Sequence, residues 1–164
     1  MRRTIDTQGL PKCSYSQSFY VLRAAAKAGI YEAYFDRLIA PWREMIANNL
    51  TTWAEDDIMF RSDCHGWSSS PVYEIVHEIF GLSLAENGYR KVRIAPRFAL
   101  QEEASGTFVI GKDDQGDITV NIEWNREDKR LVLSASRNIE ATVVSKDGIT
   151  DIVTLGSKPL VKSL

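Results

Sequence analysis

The chain has 164 residues, 44% of them hydrophobic and 26% charged, with ten glycines and five prolines, which excludes disordered, collagen-like and low-complexity classes. At this length about two-thirds of the unfolded surface is buried on folding, enough for a real core in one or two small domains. Twenty basic residues against 22 acidic ones leave a formal charge of −2 with no basic run, so no nucleic-acid partner is expected.

The start, Met1-Arg2-Arg3-Thr4-Ile5-Asp6, is positively charged but has no apolar run behind it, so it does not read as a secretory leader. No segment approaches the roughly 18 apolar residues of a membrane span, so no membrane partner is expected. The chain as written is expected to be cytoplasmic, although a longer parent could be exported. Cys13 and Cys64 are too few for a disulfide scaffold and lack metal-ligand pairing. They are expected to be buried free thiols, since cysteine packs as a small hydrophobe. No metal or other cofactor is expected.

Residues 1–86 read as helical. Tyr15, Phe19, Leu22 and Ala26 share one helix face, and Gly29 supplies a stop. Tyr31, Tyr34, Phe35 and Leu38 repeat at helical spacing and mark a second helix. Pro41 is expected to end it and to open a short third helix carrying Trp42, Met45 and Ile46. Residues 48–69 show no clean period. Ser70 and Pro71 then cap and open a helix with the stripe Val72, Ile75, Val76, Ile79 and Phe80, ended by Gly81.

Residues 87–164 switch to period two. Val92 and Ile94, Phe108 and Ile110, Ile118 to Trp124, Leu131 to Ala135, and Ala141 with Val143 alternate with polar neighbours. Asp113 to Gly116, Asn125 to Lys129 and Lys146 to Gly148 are turn signals between them. The expectation is an antiparallel β-sandwich with no parallel pairing. Both histidines, both cysteines and 12 of the 16 aromatics lie before residue 87, so polar chemistry beyond carboxylates and lysines belongs to the helical half.

The aperiodic stretch is the place for a site, because a loop of that length in a compact domain is usually functional if ordered. It collects Glu55, Asp56, Asp57 and Asp63 with Arg61, His65, Trp53 and Trp67. Carboxylates supply acid–base chemistry, and indole faces stack on the apolar C–H faces of sugars. The same residues also fit a solvated acidic turn, two core tryptophans and a structural histidine. His77, beside the last helix's stripe, reads as structural or solvated. Cys64 next to His65 does not make a nucleophile pair, since neighbouring side chains point apart and nothing completes a triad.

Several of these motifs, in order, resemble the bacterial α-L-rhamnosidases. They are Cys13 to Tyr20, Ala28-Gly29-Ile30-Tyr31, Pro41-Trp42, Thr51-Thr52-Trp53-Ala54-Glu55, Arg61 to Ser68, Ser70-Pro71, and Tyr89 to Pro96. The resemblance implies terminal helical hairpins of a six-hairpin α/α barrel (residues 1–86) followed by a C-terminal β-sandwich (87–164). It implies hydrolysis of terminal α-L-rhamnosyl bonds with inversion by two carboxyl groups. Glu55 is similar to the family's general base and His65 to a histidine that contacts rhamnose; the general acid lies in a barrel segment upstream. The register departs at Ala54, where many family members carry an aromatic. Trp53 and Trp67 are assigned as sugar platforms from residue type. The implied partners are a rhamnose-containing carbohydrate and the rest of the barrel, in the same or another chain. The alternative from a different class is a non-catalytic carbohydrate-binding or assembly module.

Overall fold

The computed structural model describes residues 1–9, 12–56 and 64–164. The chain divides into two compact units, Met1–Glu74 and Ile75–Leu164. The division falls ahead of the change of hydrophobic period near residue 86.

In the first unit, α1 (Arg2–Ile5) precedes α2 (Tyr15–Lys27) and α3 (Tyr31–Ala47). A 3-10 turn (Gly66–Ser68) and α4 (Ser70–Glu74) follow. Ser14 caps α2 by accepting the Gln17 N–H at 3.3 Å. Gly29, at φ +65°, ends it in the left-handed conformation, and the Ile30 N–H reaches back to the Ala25 carbonyl at 3.0 Å. Tyr15 and Leu22 of α2 are buried with Tyr31, Phe35, Trp42 and Met45 of α3.

Three expectations are corrected here. Pro41 does not divide α3, which runs unbroken from Tyr31 to Ala47 with the proline inside it. The Tyr15 hydroxyl donates to the Pro41 carbonyl at 3.2 Å, and Trp42 and Met45 are buried beside it. These tertiary contacts offset the missing backbone donor. Ile46, expected in the apolar stripe, is exposed. Cys13 and Cys64 are free thiols but exposed, because each lies in an irregular connecting segment and such segments run over the surface.

Glu74, at 1% exposure, is the most buried acid described. Its carboxylate accepts the Arg23 Nε–H at 3.0 Å, a second bond from the same guanidinium, and the Tyr31 hydroxyl at 2.7 Å. The guanidinium also lies 5.0 Å from the Tyr73 ring centroid. The expected stripe gives way here, since Val72 is 55% exposed while Glu74 faces inward.

The second unit opens with a π-turn, Ile75–Ile79, in which the Phe80 N–H bonds the Ile75 carbonyl five residues back. The wider turn shifts the face it presents, so Ile75 is exposed whereas Ile79 and Phe80 are buried; His77 is half-buried. Gly81, at φ +63°, then turns the chain into β1 (Leu82–Leu84).

The strands β2 (Lys91–Ile94), β3 (Glu103–Asp113), β4 (Gly116–Asn125), β5 (Arg130–Ala135), β6 (Ile139–Val144), β7 (Thr150–Leu155) and β8 (Leu160–Ser163) complete the unit. One sheet has the order β1-β2-β6-β7 and the other β3-β4-β5-β8. Within the second sheet every pairing is antiparallel. In the first, β2 runs parallel to β6, setting Val92 beside Ala141 and Ile94 beside Val143. This corrects the expectation of no parallel pairing. Strands β3, β4 and β5 lie between β2 and β6 in the chain, a connection long enough to permit a parallel return.

The alternating residues form the core. Val92, Ile94, Val120, Ile122, Trp124, Leu131, Leu133, Ala135, Ala141 and Val143 are all buried. Phe80 joins them edge-on, 4.7 Å from Phe108 and 5.0 Å from Trp124 between ring centroids. Helices followed by two sheets rich in antiparallel pairings make an α+β chain.

Candidate functional site

The loop after α3 is aimed by the helix terminus. Asn49 takes a left-handed conformation at φ 55°, and the Leu50 N–H bonds back to the Met45 carbonyl at 3.0 Å. Thr51 and Thr52 are exposed, Trp53 is half-buried, and Ala54 is 0% exposed. Position 54 thus carries a small, fully buried side chain, and the aromatic stands one residue earlier.

The described ends of the loop meet through the backbone, where the His65 N–H donates to the Trp53 carbonyl at 2.8 Å. This crossing brings the Glu55 carboxylate to 4.0 Å from His65 Nε2. Both side chains are partly open to solvent. His65 Nδ1 is buried and has no hydrogen-bond partner among the described residues, so Nε2 is the nitrogen that faces the carboxylate. Trp67 lies against the imidazole, 4.8 Å between centroids at 44°, and remains 59% exposed.

The turn under Trp67 is closed by three bonds, one of them from the Ser69 N–H to the Gly66 carbonyl at 3.1 Å. The Ser68 N–H donates to the His65 carbonyl at 3.0 Å, and the Ser69 hydroxyl donates to the Gly66 carbonyl at 2.6 Å. His65 thus meets the three other residues assigned to the base and sugar contacts, Trp53 through the backbone, Glu55 through its carboxylate and Trp67 through its ring. Asp57, Arg61, Ser62 and Asp63 lie outside the described residues. Among the described residues no group of three or more His, Cys, Asp or Glu side chains is placed to hold a metal ion. Likewise no described helix is long and apolar enough to cross a membrane.

The arrangement is a solvent-reachable carboxylate beside an imidazole, with an exposed indole next to them. A carboxylate so placed can accept a proton from water, while the imidazole and indole offer a hydrogen bond and an apolar face. Local sequence pointed to each of these groups, but not to Trp42, which reads as one residue of a helical stripe. Its Nε1–H donates to the Ser68 carbonyl at 2.7 Å, a contact 26 residues away in the chain.

No protein-family model and no curated protein matches the chain. Among solved structures, it is similar to a GH78 family rhamnosidase of Bacillus sp. GL1, with a TM-score of 0.68 and 29% identity over 88% of this chain. The chain resembles the C-terminal region of α-L-rhamnosidases. A native α-L-rhamnosidase from Aspergillus terreus shares the fold, with a TM-score of 0.59 at 20% identity over 90% of this chain. The chain spans 16% of the Bacillus rhamnosidase and 19% of the Aspergillus one. This likeness to rhamnosidases supports a glycoside-hydrolase-like origin.

Proposed function

We propose that the chain is the C-terminal portion of an inverting α-L-rhamnosidase, with its helical part supplying the last hairpins of the catalytic barrel and its sheets the terminal sandwich. Glu55 is the general base that activates water, His65 hydrogen-bonds the rhamnosyl unit, and Trp53 and Trp67 are its apolar platforms. The observation that carries this reading is the convergence of Glu55, His65 and Trp67 in a chain whose fold follows a rhamnosidase.

In an inverting enzyme the base stands roughly 6.5–9.5 Å from the general acid, leaving room for the attacking water. A partly exposed carboxylate on a loop meets the requirement for the base, and the acid belongs to the part of the barrel outside this chain. The substrate is a terminal α-L-rhamnoside, and the partner is the rest of the barrel.

The test is kinetic, in a full-length enzyme carrying this segment. Glu55→Gln is expected to lower kcat by on the order of 10²–10⁴-fold with little change in KM, because a base acts in the transition state. His65→Ala is expected to impair both constants, since a sugar contact serves ground and transition states together. Near-normal kcat in Glu55→Gln, with Asp56→Asn abolishing it, would move the base to the neighbour. If none of Glu55→Gln, Asp56→Asn and Asp57→Asn affected kcat, the loop would be an ordinary solvated acidic turn.

A further inference from the structure

The turn that presents His65 and Trp67 is only three residues long, and its internal bonds fix its shape rather than its place. Its place is set from α3. Trp42 is 3% exposed, and its Nε1–H donates to the Ser68 carbonyl at 2.7 Å. The indole is itself held, 5.1 Å from the Tyr15 ring, while the Tyr15 hydroxyl donates to the carbonyl of the adjacent Pro41 at 3.2 Å. A rigid aromatic pair spanning α2 and α3 thus ends on the last carbonyl of the turn. Phenylalanine or leucine at 42 would fill much of the same space but leave that carbonyl without the indole's donor.

We propose that Trp42 is a positioning residue, setting His65 and Trp67 through the Ser68 carbonyl. Its functional consequence rests on the reading that these two side chains touch the sugar. The Ser68 N–H is bonded to the His65 carbonyl, so a displaced Ser68 carries the histidine backbone with it. At 4.0 Å the Glu55 carboxylate and His65 Nε2 already stand beyond hydrogen-bond length, so a small further shift of the imidazole separates the two groups. Misplacement on the order of 1 Å is enough to degrade a site built on alignment.

The experiment uses the full 164-residue chain, isotopically labelled, and compares wild type with Trp42→Phe by NMR. The expected result is displaced and broadened resonances for the His65 ring and the Trp67 indole. Amides of α2 beyond Leu22 should stay in place, and titration with L-rhamnose should show binding weakened by roughly three- to tenfold. A folded Trp42→Phe whose His65 and Trp67 rings resonate as in wild type would overturn the proposal. If phenylalanine unfolds the chain, β-(3-benzothienyl)alanine at position 42 keeps the bicyclic shape, removes only the N–H, and is read the same way. The ring resonances decide the positional claim whether or not rhamnose binds, so failure of the sugar reading and failure of this inference are separate results.

Discussion

At the scale of single residues, Glu74 and Gly81 sit where substitution has the clearest cost. Glu74 is buried with its carboxylate shared between the Arg23 guanidinium and the Tyr31 hydroxyl. Removing one partner of a buried pair leaves the other charge poorly solvated, which is usually costlier than the pair's net contribution. Glu74→Ala is expected to destabilise the first unit by about 3 kcal/mol, read as a lowered urea midpoint; Glu74→Gln should lose less, because it keeps the side chain's volume and one acceptor oxygen while its NH2 loses a bond that the carboxylate accepted. Gly81 is constrained differently. A Cβ there would sit 2.0 Å from the Ala95 carbonyl oxygen, and φ +63° disfavours any other residue. Gly81→Ala should therefore cost about 3 kcal/mol or more, with loss of sheet signal in circular dichroism as the check. The glycine stop was legible in the sequence as punctuation after an apolar stripe. Burial of Glu74 was not, because its partners Arg23 and Tyr31 lie far away in the chain and a local pattern treats any carboxylate as solvent-facing.

Among whole elements, the strands were the most legible, because alternation along a two-faced sheet is a local property. Val120, Ile122 and Trp124 in β4, with Leu131, Leu133 and Ala135 in β5, are buried in that alternation. By contrast β7 carries no such signal: Ile152 is exposed and only Leu155 at its end is buried, so the strand exists through its pairing with β6. The parallel β2–β6 pair was equally hidden, since pairing direction depends on the path of the intervening chain. In α3 a local rule was overruled by packing. An interior proline costs a helix about 3 kcal/mol relative to alanine. Pro41→Ala keeps the carbonyl that Tyr15 reaches, so it should raise stability by about 1–2 kcal/mol, measured by urea unfolding. The end of β3 carries a pH dependence. Arg137 donates to Asp113 through Nε at 3.0 Å and Nη2 at 3.1 Å, and this bonding holds the Asp113 carboxyl below its ordinary value. The stabilisation is present above the ordinary carboxylate range and is lost as pH falls through the lowered folded value. Arg137→Ala should move the Asp113 carboxyl titration upward, as followed by its ¹³C shift.

For the molecule as a whole, what decides activity is how much of a catalytic centre one chain can hold. The candidate site was readable as a set of residue types; the resemblance implied roles for Glu55 and His65, and those proposed for Trp53 and Trp67 came from residue type alone. Their convergence depends on the Trp53–His65 backbone bond and the Trp42 contact, which no local pattern reveals. Inversion needs two carboxyl groups on opposite faces of the sugar, one of them protonated to release the leaving group. On the proposed reading Glu55 is the base, whereas the chain spans 16% of the Bacillus rhamnosidase and the family resemblance implies an acid in a barrel segment upstream. A lone base leaves the leaving group without its proton, so the purified 164-residue chain is expected to show no hydrolysis of an aryl α-L-rhamnoside above background. Binding of L-rhamnose is the separate property to look for in the same preparation, through quenching of the exposed Trp67. Turnover by the isolated chain that vanished in Glu55→Gln would mean that the acid lies within these residues, and the division of the two carboxyl groups between segments would be wrong. Turnover that appeared only on adding the remaining barrel would show that the missing element is the acid and the hairpins that carry it.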